Sequence, residues 1–186
     1  MALEDHNVVI GAPVVSVSPW VTNAGAGTFR DLGHLSEAPT VKWDTENYDQ
    51  ESESVLGVIK TKPIKQGGEI TIGMLEATAD NLALLTRQPS TQLSGTTPNR
   101  VLAISDSQAI DLQMKFVGPG PEGTAGVPSV RTELYWKCQV VSSEPIPHAK
   151  AGAQVYKVVL RIMRDSSVAS PSTNGSFGKQ SDTGGS

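Results

Sequence analysis

Few residues of this chain are spaced for chemistry. Gly118-Pro119-Gly120-Pro121-Glu122-Gly123 has the G-x-G-x-x-G spacing of a dinucleotide loop and follows a strand ending at Val117. Such a loop works only if a helix opens behind it, with free amides facing the pyrophosphate. Pro119 and Pro121 have no N–H to offer, no helical pattern follows, and Pro128 adds a further break, so a hairpin loop is expected instead. His6, His34 and His148 lie in separate segments, none at metal-ligand spacing from a second His, Cys or carboxylate. Cys138 falls on the apolar side of an alternating stretch, where a thiol is core packing rather than a nucleophile. No G-x-S-x-G elbow is present, and the Asn174-Gly175-Ser176 sequon has no secretion signal to give it meaning. The run Asp44, Glu46, Asp49, Glu51, Glu53 lacks the spacing and fixed glycine of a calcium loop. These residues predict no catalytic centre, no metal site and no cofactor.

The elements around them read as β. Val8 to Ile10 and Val14 to Val17 are short β segments, followed by a Gly/Ala/Asn loop over Thr22 to Gly27 and a strand at Val41 and Trp43. Asp44 to Ser54 reads as a polar loop. Val55 to Thr61 and Glu69 to Leu75 read as two strands, with Lys65-Gln66-Gly67-Gly68 as the turn between them. Thr78 to Arg87 is the one helical segment. Thr78 is the N-cap, Asp80 sits at the positive end of the dipole, Leu82 and Leu85 form the apolar stripe with Leu84 at its margin, and Pro89 stops the helix. Further strands follow at Val101 to Ser105, at Leu112-Met114-Phe116, at Leu134-Trp136-Cys138-Val140 and at Tyr156-Val158-Leu160-Ile162, each alternating with polar residues. Several strands, one helix and turn-rich joins predict a mainly β (α+β) sandwich or barrel spanning residues 1–165. Residues 166–186 are Ser, Gly, Thr and Asn with almost nothing to bury, which predicts a flexible tail.

Composition narrows the class. The 186 residues suit one domain with an appendage, and 18 Gly with 12 Pro favour many short strands over long helices. A net charge of -4 argues against a dedicated nucleic-acid binder, which draws affinity from Lys and Arg. A single cysteine forbids an intrachain disulfide and fits a reducing compartment. The Met-Ala-Leu-Glu-Asp-His start has neither the basic nor the apolar region of a signal peptide. No apolar run approaches the roughly 18 residues of a membrane span, so no membrane role is expected.

Two short motifs, in order, resemble a known family. Phe29-Arg30-Asp31-Leu32-Gly33, preceded by Trp20 in Ser-Pro-Trp-Val and a Gly/Ala loop, resembles the F-R-D-L-G start of many phage major tail (tail tube) proteins. Glu76 to Leu85, with Asp80-Asn81-Leu82 at its centre, is similar to that family's E-x-x-x-E-N-L-A-x-A-L helix, Asp80 standing where Glu is usual. The resemblance covers Val14 to Leu85; beyond that only the β pattern agrees.

The resemblance implies a fold related to type VI secretion tube proteins. It implies copies joined into stacked, six-membered rings around a conduit for viral DNA in a virion tail, made in the host bacterial cytoplasm. Its implied partners are copies of itself, the tape measure, tail terminator and baseplate or tip proteins, and DNA in transient, non-specific passage. The acid run from Asp44 to Glu53 is the candidate inter-subunit contact, expected to order with the tail only on assembly. An acidic subunit suits a conduit, since a basic lumen would hold DNA. The competing readings are a carbohydrate- or receptor-binding β-sandwich and a tail-completion or secretion-tube protein. The low aromatic content, 5%, counts against the first.

Overall fold

The computed structural model describes residues 13–25, 27–52, 55–96, 99–106, 109–120, 129–145 and 154–183. The strands are β1 (Val14–Pro19), β2 (Arg30–Asp31), β3 (Thr40–Ser52), β4 (Val55–Met74), β5 (Leu93–Ser94), β6 (Val101–Leu102), β7 (Asp111–Gly120), β8 (Ser129–Ser143), β9 (Tyr156–Ile162) and β10 (Gly178–Thr183). The helices are α1 (Ala79–Leu85) and the four-residue α2 (Pro171–Asn174). His6, His148, Glu53, the Val8–Ile10 segment and the loop glycine Gly123 lie outside the described residues.

One antiparallel sheet carries the fold in the order β2-β1-β7-β8-β9-β4-β3, with β10 added to β8 and β5-β6 forming a separate small pair. The chain is mainly β with a flanking helix, as the alternation predicts. Among the described residues the sheet stays open, with β2 at one end and β3 at the other. Alternation puts Val15 and Val17, Met114 and Phe116, Leu160 and Ile162, and Ile70 and Ile72 on one face. All are buried there, and α1 lays Leu84 and Leu85 on the same cluster. The opposite face of β1 and β7 is covered by the segment around residues 20–29. There the Gln113 amide donates to the carbonyls of Val21 and Gly25 while its oxygen accepts from Gly27 N–H.

Five expectations are corrected. The Lys65–Gly68 turn does not exist: β4 runs unbroken from Val55 to Met74. Gly68 serves close packing instead, because a Cβ there would lie 3.0 Å from the Ile162 side chain and 3.2 Å from the Trp43 ring. The acidic loop is a strand, since β3 pairs with β4 along its whole length. The charges that offset its acids come from Lys60, Lys62 and Lys65, which the β3 segment itself does not contain.

The alternation through β8 is broken by a bulge. Leu112 pairs with Cys138 but Met114 pairs with Tyr135, so Tyr135 replaces Trp136 on the core side. Finally, residues 166–183 take a defined course rather than that of a free tail. Val168 is buried, Phe177 packs against the core, and β10 pairs with β8 from Gly178↔Tyr135 to Thr183↔Val130. Backbone hydrogen bonding along an exposed strand edge needs no apolar side chains, which is why composition does not reveal it. The helix is shorter than predicted, and its buried side is Asn81, Ala83, Leu84 and Leu85, with Leu82 only partly covered.

Candidate assembly surface

The two motif segments, some fifty positions apart in the chain, are brought into direct contact. Thr78 caps α1, its hydroxyl accepting from Asn81 N–H at 3.2 Å. This sets Asn81, only 1% exposed, beneath the first turn. Asn81 Oδ1 accepts from Arg30 Nη1 at 2.7 Å, and its Nδ2 donates to the carbonyls of Leu32 at 2.9 Å and Glu76 at 3.0 Å. Arg30 Nη2 donates to the Asp80 carbonyl at 2.9 Å, and the Asp80 carboxylate pairs with Arg100. Burial lowers the Arg30 pKa; the Asp80 charge pulls upward and the Arg100 charge adds to the lowering.

Asp31 accepts from Gly33 N–H at 2.9 Å, and Gly33 adopts a left-handed φ of 81° with the Glu76 carboxylate packed where a Cβ would stand. Leu32 is buried and donates its N–H to Val15, while Phe29 lies under the Lys115 ammonium at 4.7 Å. Asn81, Arg30 and Asp80 are each bonded to another part of the protein. The constellation is a lock between helix and sheet. Arg30, Glu76 and Arg100 belong to it without having been singled out as site residues; Arg30 and Glu76 lie within the motif segments, and Arg100 carries no signal in the sequence.

Burial disfavours the ionised form of two groups with chemical potential. Cys138 is fully buried, and burial drives its thiol pKa far upward, away from thiolate. Tyr135 is likewise raised, by burial first and then by Glu133. A cavity of about 260 Å³ lies between α1 and the sheet, lined by Val17, Leu84, Leu93 and Leu112, with Arg30 and Arg87 among its polar groups. Among the described residues no three His, Cys, Asp or Glu side chains cluster to hold a metal, and no helix is long and apolar enough to cross a membrane.

The acidic candidates sit on a projecting arm. Beyond Gly68, where β9 ends its pairing with β4, the two-stranded ribbon of β3 and β4 continues without a third described strand. Asp44 through Gln50 and Lys60 through Gln66 are exposed on both faces. Across the ribbon Asp44 faces Gly67, Glu46 faces Lys65, Tyr48 faces Lys62, Asp49 faces Thr61 and Gln50 faces Lys60. Among the described side chains of the arm only Glu46 and Lys65 form an ion pair, at 3.9 Å and largely in solvent. Glu51 lies in β3, its side chain, like Glu53, outside the described residues. The arm is anchored at its base, where Trp43, 48% exposed, meets the rings of Tyr135 at 6.3 Å and Phe177 at 5.9 Å.

No family model matches the chain, and no curated protein matches it. Among solved structures, one chain of a native gene transfer agent virion aligns at 12% identity over 98% of this chain and 99% of its own length, with a TM-score of 0.43. A chain from the tail of an empty gene transfer agent particle, refined helically with C6 symmetry, aligns at 12% identity over the same shares, with a TM-score of 0.45.

Proposed function

We propose that this chain is a non-enzymatic structural subunit of a phage-like virion tail, a tail tube protein whose copies join into stacked rings of six around a conduit for DNA. The arm carries this reading. A two-stranded hairpin standing alone in water is marginally stable at best. Here one projects from the sheet with both faces in solvent and neither long edge occupied by another described strand. Open edges of this length are a hazard in a monomer and a resource in an assembly, where a neighbour can occupy them. The contact between the two family-like motifs supports the same reading: it fixes α1 to the sheet and leaves the arm to meet partners. Asp44, Glu46, Asp49, Glu51 and Glu53 are then contact residues between subunits, and the tape measure, terminator and baseplate or tip proteins are further partners at the ends of the tube.

Negative-stain electron microscopy of the purified protein, beside a variant lacking residues 45–65, tests this. The expected result is hollow cylinders of uniform width from the intact chain and none from the variant. A protein that stays monomeric across concentration and salt overturns the tube reading, and normal cylinders from the shortened chain overturn the role of the arm.

A further inference from the structure

The charges of the arm are sorted by strand. From Asp44 to Gln50 on β3 they are acidic, Asp44, Glu46 and Asp49; on the facing Lys60 to Gln66 stretch of β4 they are basic, Lys60, Lys62 and Lys65. Cross-strand partners share a face, so Asp44, Glu46 and Tyr48 lie on the same side of the ribbon as Lys65, Lys62 and Lys60. That side carries an acidic pair, Asp44 and Glu46, beside a basic stripe of three lysines, while Asp49 lies on the opposite side with Thr61. The hairpin does little to neutralise them itself. Lys60 and Lys62 face Gln50 and Tyr48, Asp44 faces a glycine, and the one ion pair among the described side chains is solvent-exposed. Each stripe also borders an open strand edge. β3 has no strand beyond it, and the outer part of β4 has none on its far side among the described residues.

An element with an acidic edge and a basic edge is complementary to a translated or rotated copy of itself, not to a two-fold mate. A two-fold contact would set acid against acid or base against base, which is destabilising for directly opposed residues. We infer that the arm is a polar, head-to-tail connector: β3 of one copy pairs along the outer β4 edge of the next, its acids Glu46 and Asp44 against Lys62 and Lys65. This rests on the self-assembly reading above and adds the partner edge and the sense of the contact. Within one arm β3 and β4 are antiparallel, so copies related by rotation keep strict antiparallel order, β4-β3-β4-β3, around a closed ribbon. Strands in a closed ribbon are staggered, and an offset of about two residues sets Lys62 opposite a neighbour's Glu46.

The test uses two full-length variants that each make both edges alike. Lys62→Glu/Lys65→Glu is acidic on both edges at the paired positions; Asp44→Lys/Glu46→Lys is basic on both. All four positions are exposed, and circular dichroism checks that each variant keeps its fold. Each variant alone is expected to lose assembly, the pelleted fraction falling roughly tenfold at low salt, because like edges meet. An equimolar mixture is expected to regain cylinders in which the two variants alternate. If the wild type forms cylinders but the variants assemble alone as well as it does, or the mixture fails to recover, the head-to-tail pairing is wrong while the tube reading stands. If the wild type itself never assembles, the tube reading is the part that fails, and this connector falls with it.

Discussion

At the scale of single residues, Asn81 ties together segments far apart in the chain. Its side chain makes three hydrogen bonds that tie β2, the stretch around Leu32, and the entry to α1. It is buried, so truncation leaves Arg30 and two carbonyls without that partner where water does not readily replace it. Asn81→Ala is expected to cost about 2–4 kcal/mol in a urea titration, with an unchanged slope. A loss under about 0.5 kcal/mol, the size of an ordinary surface substitution, contradicts the role as a lock. The sequence points to Asn81 only through its motif. A lone Asn on a helix is commonplace, and its meaning comes from Arg30 and the Leu32 carbonyl, which only folding brings near.

At the scale of elements, adjacent glycines in β4 separate local propensity from packing. Gly67 has room for a methyl group, its nearest neighbour being the Ile162 carbonyl at 3.5 Å, an ordinary contact. Gly68 has none to spare, with Lys42 O and the Ile162 side chain both at 3.0 Å. Gly67→Ala is therefore expected to raise stability by about 0.5–1 kcal/mol through reduced backbone freedom. Gly68→Ala is expected to lower it by about 1–3 kcal/mol through overpacking against Trp43 and β9. Thermal melts of the two variants check this, and shifts of the same sign contradict it. A Gly-Gly pair between two apolar stretches reads as a turn when only neighbours in sequence are considered. The pairing of β4 with β3 and β9 overrules that reading, because thirteen cross-strand partners outweigh a local preference of about 1 kcal/mol per glycine.

At the scale of the whole molecule, the C-terminal segment closes the structure, and Asp165 is its hinge pin. Asp165 is 3% exposed. Burial would raise its pKa. Hydrogen bonds from the Ser167 hydroxyl and backbone N–H and from Trp20 Nε1, with the nearby Lys137 charge, more than reverse that and lower it. A folded-state pKa below the unfolded value of about 3.9 stabilises the protein at pH above that value. The stabilisation is lost as pH falls through the lowered folded value. Docking of the C-terminal segment is thus expected to hold above about pH 4 and weaken below it, and Asp165→Asn is expected to flatten the acid limb. Unfolding free energies measured from pH 5 downward test this. An identical slope in wild type and variant removes Asp165 from the account.

Neighbours in the chain suffice to foretell most strands through alternation, the start of α1 through Thr78 and Asp80, and the burial of Cys138. The sequence also carried the family-like motifs, without saying why they belong together. Only the tertiary structure decided that the acid run is one strand of a lysine-faced arm, that β8 changes face at a bulge, and that a Ser/Gly-rich segment forms β10. The reason is common to all three. Each depends on backbone hydrogen bonds between segments far apart in sequence. Such bonds are made by every residue type except proline as donor, so they leave little trace in composition or periodicity.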